Sequence, residues 1–276
     1  MERSKSPSKR NKMNTLKNKF RYISVTILTV LLFGNSYAQD RIKIDFFEQI
    51  KNYDLSKVIV ADSIISENRE EKIKEKAKRP EILGFIGNNY QRFFIHFTSV
   101  IQNPTNPYEY LVSGKTKVRE TICTFQGTIT IKHAKVYKSS DFPNYKQGYA
   151  DCDITLYEDK KQPSTGFIKG KLKSHFLIDN KGQFRYDALN FFSDGFSNNQ
   201  FVGSWTSYKT NITKRCNWGD YRIPESGDLD IGVGEFSVKD KYLKNGWKTY
   251  KLAQGDFTET SETKQAKQKE EEQWWK

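Results

Sequence analysis

The chain has 276 residues, with 46 Lys and Arg against 33 Asp and Glu for a formal net charge of +13, and 36% hydrophobic, 14% aromatic and 29% charged residues. That apolar content excludes a disordered chain, 7 Pro and 17 Gly exclude a low-complexity one, and 3 Cys exclude a disulfide scaffold. A packed globular domain is expected.

Eight basic residues against Glu2 place +7 of the charge within residues 1–38, leaving +6 for the rest, mixed with acidic groups as on an ordinary solvated surface. No nucleic-acid partner is expected. Residues 1–38 have the three parts of a secretory signal peptide: a basic stretch ending at Arg21, an apolar run from Ile23 to Phe33, and small residues at Ser36 and Ala38 before Gln39. The expectation is cleavage after Ala38 and a periplasmic or secreted product, with Met13 as an alternative start. The apolar run is short of the roughly 20 residues that span a bilayer, so no transmembrane segment is expected after cleavage. An uncleaved anchor is the alternative.

Residues 39–80 read as an N-terminal helical segment: Phe46, Phe47 and Ile50 have helical spacing, and Asp62 or Ser63 would cap a second helix running through Glu67 to Lys78 until Pro80 ends it. Residues 81–257 form the main domain, and 258–276 a charged C-terminal tail. The tail reads as frayed or disordered, with Trp274 and Trp275 free to dock on the body or on a partner.

From Ile82 to about Thr210 the pattern has period two. Tyr90 to Ile101 is apolar on both faces, which predicts a central strand. A strand from about Lys117 to Val136 has Gly127 as its expected bulge, and Tyr149 to Tyr157 faces Ala150, Cys152, Ile154 and Leu156 one way. In Phe167 to Ile178 the lysines Lys169, Lys171 and Lys173 alternate with apolar residues, and Asn180, Lys181 and Gly182 make a tight hairpin. Seven to nine strands with short connections imply a mainly β fold, an antiparallel meander forming a barrel or a two-sheet sandwich, preceded by short N-terminal helices.

Export would bring the cysteines into an oxidising compartment, where Cys123 and Cys152, both on apolar faces, form the first candidate disulfide. A Cys152 to Cys216 bridge and three unpaired thiols are the alternatives. His133 shares a face with Ile129 and Ile131, His96 with Phe94, and His175 lies on the lysine-bearing face. Such mixed orientations do not build a zinc site, and no metal or cofactor is expected.

The sequence lacks a phosphate-cradling glycine loop, a zinc-protease helix and a nucleophile elbow. The candidate ligand-binding residues are Trp205, Tyr208, Trp218, Asp220, Arg222, Asp228, Asp230 and Glu235, because aromatic rings beside carboxylates and an arginine suit a sugar or polar ligand. Asp228 and Asp230 would share one side of a strand while Leu229, Ile231 and Val233 face the other.

The stretches Asn198 to Tyr208, Cys216 to Pro224 and Gly227 to Phe236, with Gly84 to His96, resemble secreted β-rich proteins of the Bacteroidota that have no known activity. The resemblance implies export in a two-membrane bacterium and transfers no site residue. Gly203, Ser204 and Trp205 are similar to the Gly-x-Trp signature of lipocalins, where the triplet begins the first barrel strand; here it falls near the last. The expected function is a non-enzymatic exported domain binding a small polar or amphipathic ligand or an envelope partner. An envelope hydrolase acting on carbohydrate through the carboxylates between Asp220 and Glu235 is the alternative.

Overall fold

A computed structural model describes residues 42–67, 74–140, 142–255 and 260–276, so the expected signal peptide lies outside the described residues. The described chain opens with strand β1 (Lys43–Asp45), one-turn helices α1 (Phe47–Ile50) and α2 (Ser56–Ile59), and a hairpin of β2 (Ser63–Glu67) with β3 (Lys74–Lys78). There follow β4 (Leu83–Ile86), β5 (Gln91–Asn103), β6 (Asn106–Val118), β7 (Thr121–Tyr137), β8 (Tyr145–Glu158), β9 (Gly166–Asp179), β10 (Phe184–Tyr186), β11 (Asn198–Ser207) and β12 (Thr213–Asp220). Each of β4 to β9 pairs antiparallel with the next, β9 pairs with β11, β11 with β12, and β12 returns to β4 through Cys216 opposite Ile86 and Trp218 opposite Gly84. Eight strands thus close into a ring, which decides between the two expected architectures in favour of the barrel.

An eight-stranded barrel is just wide enough for its own side chains to fill. Phe93, Phe97, Phe125, Phe176, Phe201 and Trp218 do so, with Ile95, Ile129, Ile154 and Ile168 between them. Trp218 stacks on Phe201 with ring centroids 3.6 Å apart and planes 12° apart. Gly203 is required by this packing, since a Cβ there would stand 2.4 Å from the Phe201 ring. The interior is therefore a packed core.

The N-terminal elements cover one end of the barrel. Phe46, Ile50, Leu55, Val58, Ile59 and Ile64 join the barrel core, and the Leu55 amide donates to the Tyr110 hydroxyl at 2.8 Å. Against expectation, Lys74–Lys78 is a strand, with Ile64 opposite Ala77 and Ser66 opposite Glu75. Pairs of opposite charge at helical spacing contribute only a few tenths of a kcal/mol each, less than burying Ile64 on the barrel end. The intervening residues 68–73 of the expected helix lie outside the described ones.

The bulge in β7 falls between Ile131 and His133 rather than at Gly127. Gly127 stays in register opposite Val112 and Leu156, and its missing side chain admits the carbonyl of Thr155, which a Cβ would meet at 2.1 Å. The bulge inverts the alternation, so His133 is exposed although Ile131 and Ala134 are buried. His175 is packed beside Tyr149 on the outer wall. Burial, with Lys173 next in effect and Asp151 opposing, lowers its pKa to about 4. Below pH 6.5 the unfolded chain takes up a proton that folded His175 refuses until about 4. Stability is therefore expected to fall as pH drops through that window, and urea titrations of His175→Gln should lose most of that dependence.

All three cysteines are buried and free. The register corrects the expected Cys123 to Cys152 bridge, because Cys152 stands opposite Ile131, eight positions along β7 from Cys123 and roughly 26 Å away. Burial raises the Cys123 thiol to about 11 and lifts Cys152 and Cys216 further. With an aromatic disulfide reagent and no reductant, the native protein is expected to titrate no thiols and the urea-unfolded protein three. Fewer than three after unfolding would reveal a bridge.

After β12 the chain forms 3-10 turns at Gly227–Leu229 and Asp240–Asn245 and helices α3 (Lys248–Ala253) and α4 (Ser261–Glu270). Leu229, Phe236, Val238 and Trp247 pack on Leu83, Phe85 and Tyr90 of the outer wall as a second core. The expected Asp228 to Val233 strand is absent from these described residues. Asp228 sits in the first 3-10 turn, Asp230 makes one isolated bridge to Val238, and Ile231 and Val233 are exposed. The tail is a capped helix: the Thr260 hydroxyl accepts from the Thr263 amide at 3.1 Å.

Candidate functional site

The eight sequence-predicted residues are not brought together at one place. Trp218 is in the barrel core. Trp205 is half-buried near the opposite end, where its indole donates to Glu158 at 2.9 Å; Tyr208 lies beside Phe167 with Lys160 over its ring. Arg222 and Asp230 are brought together: both Nε and Nη2 donate to Asp230 Oδ2, at 3.0 and 2.5 Å, while Nη1 and Nη2 reach the carbonyls of Val233, Gly234 and Gly232. That arginine organises the 230–238 loop. Asp228 is exposed and hydrogen-bonded first to Lys241 and then to Tyr242, which lowers its pKa to about 2. Glu235 is exposed.

Asp220 is fully buried at the barrel end beneath α2. Its Oδ1 accepts from Arg79 Nη2 at 2.7 Å, and its Oδ2 from Asn199 Nδ2 at 2.8 Å and the Tyr186 hydroxyl at 3.1 Å. Arg79 Nη1 donates to the carbonyls of Ile59 and Ala61, and Asn199 to that of Val58. Burial raises the Asp220 pKa, with Arg79, Asn199 and Tyr186 opposing. This network joins the N-terminal segment to the end of the barrel.

A cleft of about 360 Å³ opens on the outer wall between β5, β6 and the C-terminal segment. Its floor is Arg92, 4% exposed. The guanidinium donates to both Glu270 oxygens, at 2.8 and 2.5 Å, and lies between Phe94, 4.4 Å from its ring, and Trp247, 5.0 Å away. Thr249 donates to the same Glu270 at 2.5 Å, and Gln91 to the Asn245 carbonyl at 2.8 Å. The tail closes the far side: Trp274 contacts Phe94, and Trp275 stacks on His96 with centroids 3.8 Å apart. This docking explains why β5 is apolar on both faces.

The lining of the cleft carries five cations and four carboxylates. Lys117, Arg119 and Lys244 line it with no salt-bridge partner among the described residues, as does Glu120, whereas Glu81 faces His96, Glu270 is held by Arg92 and Glu272 by Lys269. The Trp274 indole N–H is buried with no hydrogen-bond partner among the described residues. An aromatic wall with convergent cations suits a small ligand that is apolar at one end and negative at the other. Sequence reasoning missed these residues because they are brought together across β5, β6 and the tail. The double-faced β5 and the terminal Trp274 and Trp275 were the available signals.

Fold and cleft together define a closed antiparallel barrel with a packed interior and an open cleft on its outside wall. Comparison with family models, curated proteins and solved structures finds no match to this chain. No helix among the described residues is long and apolar enough to cross a membrane, and no group of three or more metal-ligating side chains occurs among them.

Proposed function

We propose that the chain is an exported, non-enzymatic binding domain that holds a small amphipathic anion in the cleft between its barrel wall and its C-terminal tail. The observation that carries this reading is the convergence of Lys117, Arg119 and Lys244 with Phe94 and Trp274 around one opening. The packed barrel interior turns the reading away from an internal cavity. Export is supported by the charge and apolar pattern of residues 1–38.

Titration of the protein with phenylacetate or octanoate, followed by tryptophan fluorescence and thermal melting, tests the binding. A saturable response and a raised Tm are expected, with weaker response to the neutral phenylacetamide. Lys117→Ala combined with Lys244→Ala is expected to weaken binding at least about tenfold. Equal binding of the acid and the amide, or no saturable response to either acid, would overturn the reading. Fractionation with N-terminal sequencing tests export; a periplasmic or secreted product beginning at Gln39 is expected, and a full-length cytoplasmic product contradicts it.

A further inference from the structure

We infer that a second cleft, walled by the β2–β3 hairpin and the β9–β10 turn, is a binding site for a small polyhydroxylated anion of the sugar-acid or sugar-phosphate type. It has a volume of about 310 Å³ and lies apart from the site proposed above, sharing no lining residue with it.

Its acidic side chains are already engaged. Glu67 accepts a hydrogen bond from the Tyr145 hydroxyl and faces Lys74 at 3.9 Å. Asp179 Oδ1 accepts from the backbone amides of Lys181 and Gln183, both at 2.9 Å, which fixes the turn. Of the cations, Arg185 and Lys181 are less committed. Arg185 stacks its guanidinium over the Tyr145 ring at 5.5 Å, and its Nε is buried with no hydrogen-bond partner among the described residues. Lys181 stands on the same wall, and Lys74 donates to the Tyr145 hydroxyl at 2.9 Å.

Arg185 lines the cleft with no hydrogen bond or salt bridge to a carboxylate among the described residues, so its guanidinium can take an incoming oxyanion. Arginine's planar fork suits carboxylate and phosphate alike, and the flanking lysines add charge without imposing geometry. The other walls are amide-bearing: Asn144, Asn180 and Gln183 leave Ile65 and the Tyr145 ring as the main apolar surface. Amides both donate and accept, as hydroxyl groups do. The cleft is also larger than a bare oxyanion needs, which leaves room for a polyol body beside the charged head.

The test is calorimetric titration of the full-length chain at constant ionic strength with glucuronate, glucose 6-phosphate, glucose and inorganic phosphate. One or both sugar anions are expected to bind saturably, and which one binds names the charged group. Glucose is expected to show no binding, and inorganic phosphate at least about tenfold weaker binding than the sugar anion. Arg185→Gln is expected to weaken the sugar anion at least about tenfold, and Lys181→Ala, at an exposed turn position, to weaken it without altering the fold. Lys117→Ala, in the other cleft, should leave it unchanged. No saturable binding of either sugar anion, or equal binding by Arg185→Gln and Lys181→Ala, overturns the inference. Equal affinity for phosphate and glucose 6-phosphate overturns its polyol half. Because the probes here are apolar-poor sugars, failure in this cleft leaves phenylacetate binding in the other cleft unaffected.

Discussion

Asp220→Ala is expected to destabilise the protein by about 3–5 kcal/mol, because it strips the counter-charge from a buried arginine. The side chain of Arg79 is 7% exposed and that of Asp220 0%, so water cannot replace the lost carboxylate without opening the barrel end. Asn199 and Tyr186 would lose their acceptor at the same time. Asp220→Asn keeps an acceptor oxygen for part of this network and should lose less. Arg79→Met combined with Asp220→Leu should lose less than either single charge deletion, since a buried pair replaced by apolar groups removes both desolvation penalties. Urea unfolding at pH 7 measures all four chains. A loss below about 1 kcal/mol for Asp220→Ala would mean that the N-terminal segment is not anchored as described.

Removing the tail's anchor is the second large effect. Glu270→Ala leaves Arg92 buried between Phe94, Trp247 and Tyr250 with no carboxylate. Breaking a buried ion pair costs about 3–5 kcal/mol. Glu270 is 17% exposed and borders the open cleft, so partial rehydration of Arg92 brings the expected loss to about 2–3 kcal/mol. The tail should also detach more often, which predicts faster tryptic cleavage at Lys264, Lys267 and Lys269. Unchanged unfolding together with unchanged cleavage would show that α4 is held by something other than this pair.

The barrel strands were legible because strand alternation is a local property. Ile168, Leu172, Phe176 and Ile178 point inward as their spacing implies, and Gly182 adopts φ +78° in the hairpin foreseen from Asn180 and Lys181. Closure was not legible, since β12 pairs with β4 across more than a hundred residues. β12 also hides its character, with Asn217 and Asp220 buried as polar partners where a strand would ordinarily bury apolar groups. The aromatic and acidic density from Trp205 to Glu235 was read as a site. Its components instead serve the core, the Arg79 network and the Arg222 loop, because composition reports neither depth nor partner. His133 shows the same limit on a smaller scale, a single bulge turning it outward. The candidate cleft is a tertiary feature, built on a tail that in isolation reads as polar and frayed; its order comes from Arg92 and β5.

Hydrogen exchange with and without saturating phenylacetate is the most direct test of the proposed binding surface. Slowed exchange at Arg92 to Phe94, around Lys117 and Arg119, and in the tail near Glu270 to Trp274, with Phe201 and Trp218 unaffected, is the predicted result. Protection centred on the barrel interior, or no change at the cleft despite binding, would contradict it.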